Sequence, residues 1–200
     1  MEREDILKRI TLFFFEAGML KRLRRTGYHF LGTGKESVAE HCFRTALIGY
    51  ALASLAEADI PKVVFMCLFH DLPEARTGDQ NYMNKKYVRA DEERALRDQL
   101  KGIPFGEEIE RLLFEFRDAH SPEAMLARDA DQLDLIFELK VQLDLGNRQA
   151  RDWIYYAQKR LRTPEAISIA KKVLETDWTE WWFDKGSLWW VNGPEGNERP

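Results

Sequence analysis

Cysteine is scarce in this chain, with two among 200 residues, Cys42 and Cys67. A disulfide-stapled fold needs more of them, and no metal-spaced cysteine pair is present to hold zinc. Both thiols sit inside apolar, helix-like runs and read as buried free cysteines of a reducing compartment. Long hydrophobic runs are also missing. Val63 to Phe69 is among the longest, far short of the ~20 residues of a membrane span. The N-terminal MEREDILKRI is charged and amphipathic, unlike a signal peptide's basic start and apolar core. Excess positive charge is absent: the formal net charge is −4, which argues against a nucleic-acid polymer as partner. No glycine-rich phosphate loop, internal repeat or low-complexity segment appears, and period-two alternation never persists as a β-sheet requires. The expectation is a cytoplasmic, all-α chain with one domain and no membrane partner.

The residues that are present read as a succession of helices. Ile6 to Leu20 is strongly apolar. Ser37 followed by Glu40 forms a capping-box pattern, predicting a helix to about Glu57. Pro61 suits the first turn of a helix that carries Val63 to Phe69 toward His70, with Phe65 to Phe69 taken as core anchors. Gly78 marks a break, and Met83 to Lys86 is expected as loop. Asp91 to Lys101 reads as a polar, exposed helix ended by Gly102. Glu107 to Ala119 is amphipathic, and Ser121-Pro122-Glu123 opens a helix to about Leu145, stopped by Gly146-Asn147. Helices over Gln149 to Leu161 and Pro164 to Glu175 complete a helical domain spanning 1–177. Residues 178–200 form a C-terminal segment with Trp178, Trp181, Trp182, Trp189 and Trp190, ending in the tail VNGPEGNERP. So many tryptophans are costly to leave in water, so the segment is expected to pack on the helical body. A dimer contact or a lid over a substrate is the alternative.

The stretch FMCLFHDLPEARTGD, residues 65–79, turns from apolar to ionisable at His70-Asp71. Burying charge there requires a partner. Of the four histidines, His29, His41, His70 and His120, two have suggestive neighbours. His41 follows Glu40 within the Ser37 helix, and His70 with Asp71 ends the next one. Asp131, in DADQLDLI, lies on a helix whose Leu133, Ile136 and Phe137 should face the core. Two imidazoles and two carboxylates suit a divalent transition metal, whose charge balances theirs. Four such ligands on an octahedral ion leave two positions for water and substrate. LKRLRR at 20–25 is either a solvated helix end or a phosphate contact.

The order His41, His70-Asp71, Asp131 resembles the HD-domain metal-dependent phosphohydrolases, and more closely their 5′-deoxynucleotidase branch. LKRLRRTGY at 20–28 is similar to that branch's LKR-x-x-RTGW, and ESVAEH at 36–41 to its ESV-x-EH. HDLPEARTGD at 70–79 is similar to HD-x-x-E-x-x-x-GD, and DADQLD at 129–134 to D-x-D-x-x-D. The resemblance spans about residues 10–160 and implies an HD-type helical bundle that hydrolyses deoxyribonucleoside 5′-monophosphates. It implies His41, His70, Asp71 and Asp131 as ligands of one divalent ion, whether Mn, Co, Ni, Fe, Zn or Mg. Glu74 matches an acid acting on the nucleophilic water, Asp79 a residue near the sugar 3′-hydroxyl, Arg25 a phosphate-holding arginine, and Glu115, loosely, another acid of the site. Tyr28 stands where the branch carries Trp, and Asp129 and Asp134 compete with Asp131 for its match. The resemblance and the tryptophans lean toward a homodimer. The alternatives are an HD hydrolase of another nucleotide or phosphate monoester, and a nucleotide-binding protein without turnover.

Overall fold

The computed structural model describes residues 3–193, so the expected C-terminal tail lies outside the described residues except for its first three positions. Among the described residues there is no strand. The one extended pairing is an isolated antiparallel bridge between Arg24 and Ser37.

Helix α1 (Arg3–Ala17) runs into a 3-10 turn, Gly18–Lys21, and a short helix α2 (Tyr28–Leu31) follows. The long helix α3 (Val38–Leu55) starts at the capping box read from the sequence: Ser37 Oγ accepts from Glu40 N, and Glu40 Oε2 accepts from Ser37 N. Helix α4 (Ile60–Phe69) is capped by Asp59, whose side chain accepts from Lys62 N, with Pro61 in its first turn. Next come the single turns α5 (Glu74–Thr77) and α6 (Asn84–Tyr87), then α7 (Glu92–Leu100) and α8 (Gly106–Asp118). The 23-residue α9 (Pro122–Asp144) is capped by Ser121. Helices α10 (Ala150–Gln158), α11 (Pro164–Glu175) and the short α12 (Trp189–Asn192) close the chain.

Helix α9 is the spine. It touches α3, α4, α8, α10 and α11, and Leu126, Ala127, Ala130, Leu133 and Ile136 from it meet Leu52, Val63, Met66 and Cys67 in one core cluster. Burial of such side chains contributes roughly 1.5–3 kcal/mol each, which fixes α9 beneath α3 and α4. The approach of α3 to α4 depends on Gly49. A Cβ there would lie 2.6 Å from Cys67 Sγ and 3.2 Å from Val63 Cγ1. This close crossing sets His41, two turns before Gly49, beside His70 at the end of α4.

Four expectations differ from the structure. The 83–86 loop holds the helical turn α6, because Asn81 Oδ1 accepts from Met83 N and Asn84 N and caps it. Helix α7 is not exposed all round: Ala95, Leu96, Gln99 and Leu100 are buried, an i, i+4 stripe packed toward Ile103, Ile109 and Leu113. Phe65 to Phe69 do not all anchor the core, since helical periodicity turns Phe65 and Leu68 outward while Val63, Met66 and Cys67 point in. The tryptophans are not buried on the body. Trp181 is 82% exposed, while the rings of Trp178, Trp182, Trp189 and Trp190 pack on one another, with Trp189 and Trp190 centroids 4.8 Å apart. Trp178 N donates to Asp144 Oδ2 at 3.2 Å, tying the start of the segment to α9.

Gly49→Ala places a methyl inside van der Waals contact with a buried sulfur. Overpacking of about 1–3 kcal/mol outweighs the ~1 kcal/mol gained in helix propensity. Urea unfolding of this variant is expected at a lower midpoint than wild type; an equal or higher midpoint would show that the crossing has slack.

Candidate metal centre

The stretch LKRLRR reaches the site through one residue only. Lys21, Arg22 and Arg24 are exposed, whereas Arg25 turns inward and its Nη1 lies 3.3 Å from Asp71 Oδ2. Backbone bonds hold it there: Arg25 N donates to Glu36 O and Val38 N to Leu23 O, pinning the segment to the start of α3.

His41 from α3 is fully buried, and its Nε2 converges with groups from two other elements. His70 Nε2 lies 3.2 Å away, Asp131 Oδ1 3.3 Å and Asp71 Oδ2 3.6 Å. His70 Nε2 is itself 3.2 Å from Asp71 Oδ2 and 4.0 Å from Asp131 Oδ1. The far nitrogens decide what these faces offer. His70 Nδ1 donates to the Cys67 carbonyl at 2.8 Å, and a carbonyl accepts only, so the proton is on Nδ1. His41 Nδ1 meets Asp134 Oδ2 at 2.6 Å and carries a proton for the same reason. Both Nε2 lone pairs therefore point at one spot, flanked by two carboxylate oxygens. Such facing acceptors need a cation between them, and the donor set of two imidazoles and two carboxylates fits a divalent metal.

Electrostatics agree. Burial and the nearby Arg25 oppose charge on His41, yet hydrogen bonds to Asp131 and Asp134 prevail and raise its pKa to about 10. Burial alone would raise Asp71 and Asp131. Instead the two histidines and Arg25 hold both well below the usual carboxylate range. Without metal, protons must do the work of the ion.

The three acids of DADQLD have three different tasks. Asp131 faces the histidines. Asp134, fully buried, fixes His41 through Nδ1. Asp129 caps α11, accepting from Arg162 N, Thr163 N and Thr163 Oγ1 at 2.7–3.1 Å. A second acidic group near His41, Glu36 with Asp134, already has its cation. Arg44 Nε donates to Asp134 Oδ1 at 2.5 Å and Nη2 to Glu36 Oε1 at 3.3 Å. Arg44 and Glu138 were not singled out from the sequence, where a mid-helix arginine and a helix acid have no distinguishing spacing.

A cleft of about 790 Å³ opens beside this cluster, lined in part by Arg25, Tyr28, Asp71, Glu74, Asp79 and Asp131. Asp79 Oδ2 accepts from both N and Oγ1 of Thr26, closing the cleft's edge. Tyr28 Oη lies 3.1 Å from Glu138 Oε2 and 3.3 Å from Glu36 Oε2. Glu74 Oε2 is buried without a hydrogen-bond partner. Burial, then Asp71 and Asp79, push its pKa up to about 9. Glu115 is elsewhere: it pairs with Lys62 Nζ at 2.6 Å. Lys62 sits eight residues before His70, about 12 Å along α4, and Glu115 does not line the cleft. His29 and His120 are exposed, and none of the C-terminal tryptophans lines the cleft.

Glu74 keeps its proton in the folded, metal-free chain while an unfolded glutamate loses it near pH 4.5. Glu74's own contribution to stability is thus greatest below that pH and is lost as the pH rises to about 9. With a chelator present, Glu74→Gln should melt higher than wild type by a margin that widens from pH 5 to pH 9. A margin independent of pH would contradict this.

The HD-domain family profile matches residues 17–171. The chain is similar to 5′-deoxynucleotidase HDDC2 of Dictyostelium discoideum, 33% identical over 63% of this chain and 73% of that protein. It is also similar to the Bos taurus protein of the same name, 28% identical over 78% and 80% of the two chains. Among solved structures, a conserved hypothetical protein from Pyrococcus furiosus superposes with a TM-score of 0.69 at 26% identity, covering 82% of this chain and 98% of that one. Together with the clustered His41, His70-Asp71 and Asp131, these matches place the chain in the HD-domain family.

Proposed function

We propose that the protein is a metal-dependent phosphohydrolase that cleaves deoxyribonucleoside 5′-monophosphates to deoxyribonucleoside and phosphate. The observation that carries this reading is the convergence of two imidazole lone pairs and two carboxylates beside a half-buried arginine, at the end of a nucleotide-sized cleft. Relatives named 5′-deoxynucleotidase support the substrate class. So does the cleft's grading along α9, from Asp131 through Leu135 to Leu139, with Trp153 of α10 on its wall. Residues 131 and 139 are separated by about 12 Å of helix, enough to seat phosphate at one end and base at the other.

His41, His70, Asp71 and Asp131 would hold the ion, which as a Lewis acid polarises a phosphoryl oxygen and acidifies water. Arg25, charged and half-buried, binds the phosphate through its remaining N–H groups and stabilises charge on the transferring group. Glu74 lines the same cleft with an unspent oxygen and, once ionised, would accept the proton of the attacking water and pass one to the leaving 5′-oxygen. Asp79 faces the sugar. Tyr28 forms the wall against the nucleoside, its ring held by Gly34 (φ +82°), where a Cβ would come within 2.7 Å of it.

The expected partner is a second copy of the chain. Phe43, Leu47 and Tyr50 form an i, i+4, i+7 stripe exposed on the outer face of α3, an apolar surface that a homodimer would cover. Light scattering should give twice the chain mass, and a monomer at micromolar concentration would refute it. Two buried free thiols favour a reducing, cytoplasmic setting. Recovery of the full-length protein with membranes or outside the cell would contradict that.

Phosphate release from a panel of nucleoside monophosphates, after chelation and addition of Mn²⁺, Co²⁺ or Mg²⁺, tests the activity. Release from dAMP above AMP is expected, with Asp71→Ala at least ~10³-fold slower. Nucleotide binding without release under any metal would instead indicate a non-hydrolytic binding protein.

A further inference from the structure

The carboxylate that orients His41 has its own support. Asp134 gives Oδ2 to His41 Nδ1 and Oδ1 to Arg44 Nε. Arg44 Nη1 bonds Glu138 Oε1, and Nη2 reaches Glu36 Oε1 and the Asp134 carbonyl. The guanidinium fork thus spends four hydrogen bonds on three acids, and Tyr28 Oη closes the ring against Glu36 and Glu138. Arg44 itself neither lines the cleft nor contacts His70, Asp71 or Asp131.

We infer that Arg44 is a positioning residue: it fixes Asp134, and through it the tautomer and aim of His41, so that the metal site is pre-organised. The inference rests on the metal-centre reading above. Without Arg44, the Asp134 side chain keeps only its bond to His41, and Glu36, Asp134 and Glu138 lose the one guanidinium they share. The planar fork matters as well as the charge, because the Nε and Nη groups bind different acids simultaneously. Outer hydrogen-bond partners of metal-ligating histidines typically carry 10–100-fold in metal affinity.

Co²⁺ binding to the full chain, followed by calorimetry and by the visible spectrum of the bound ion, tests this independently of turnover. Arg44→Met is expected to weaken Co²⁺ at least ~10-fold and shift the spectrum, and Arg44→Lys to recover only part of the affinity. Arg97→Met, which removes a surface arginine paired with Glu110, should bind as wild type does. A folded Arg44→Met that binds Co²⁺ with wild-type affinity and spectrum overturns the inference. Should Arg44→Met fail to fold, Arg44→Lys decides: wild-type affinity refutes it, a clear loss upholds it. A wild-type chain that takes up no Co²⁺ overturns the metal reading and this inference together.

Discussion

Two imidazole lone pairs held face to face, 3.2 Å apart and flanked by two carboxylates, are the constraint on which the rest of this structure depends. Each histidine has its other nitrogen committed, one to the Cys67 carbonyl and one to Asp134, so neither ring can turn away without breaking a buried hydrogen bond. Leaving a buried donor unpaired is costly. The scaffold supplies the rigidity. Gly49 permits α3 and α4 to cross closely, and the apolar positions of α9 lock both helices in place.

The polar side chains around the site occupy successive distances from that point. Asp71 and Asp131 share it, Arg25 borders it, and Glu74 and Asp79 line the cleft beyond. Next to the histidines the charged neighbours are Asp71 and Asp131 with the half-buried Arg25 beside them, an environment that favours a cation first and a phosphate second. Glu74, left neutral by burial and its acidic neighbours, regains its charge most readily when a cation is close. The chemistry of the site is therefore linked to its electrostatics, not merely to the identity of its residues.

Much of this was legible in the sequence. Caps such as Ser37–Glu40 are local, and their geometry follows from the residues themselves. That His41, His70-Asp71 and Asp131 come together was legible because the motifs lie at helix ends and in amphipathic runs. Glu115 illustrates the limit. On a helical wheel it resembles any other site acid, and only the packing of α8 onto the start of α4 reveals its pairing with Lys62. Arg44 shows the same limit from the other side: its importance comes from Glu36, Asp134 and Glu138 meeting across two elements. The packing of the tryptophans is not legible in the sequence, because hydrophobicity does not say which surface a ring meets. Here Trp178, Trp182, Trp189 and Trp190 pack on each other.

The central claim is that a divalent ion balances the buried cluster, with Asp131 as ligand and Asp129 as helix cap. The most direct test is thermal melting of the chelated protein, and of Asp131→Asn and Asp129→Asn, before and after Mn²⁺ is added. Wild type is expected to gain several degrees with Mn²⁺ through binding to the folded state. Asp129→Asn should melt lower yet keep that gain, and Asp131→Asn should lose it. A gain that survives in Asp131→Asn, or that vanishes only in Asp129→Asn, would contradict the account.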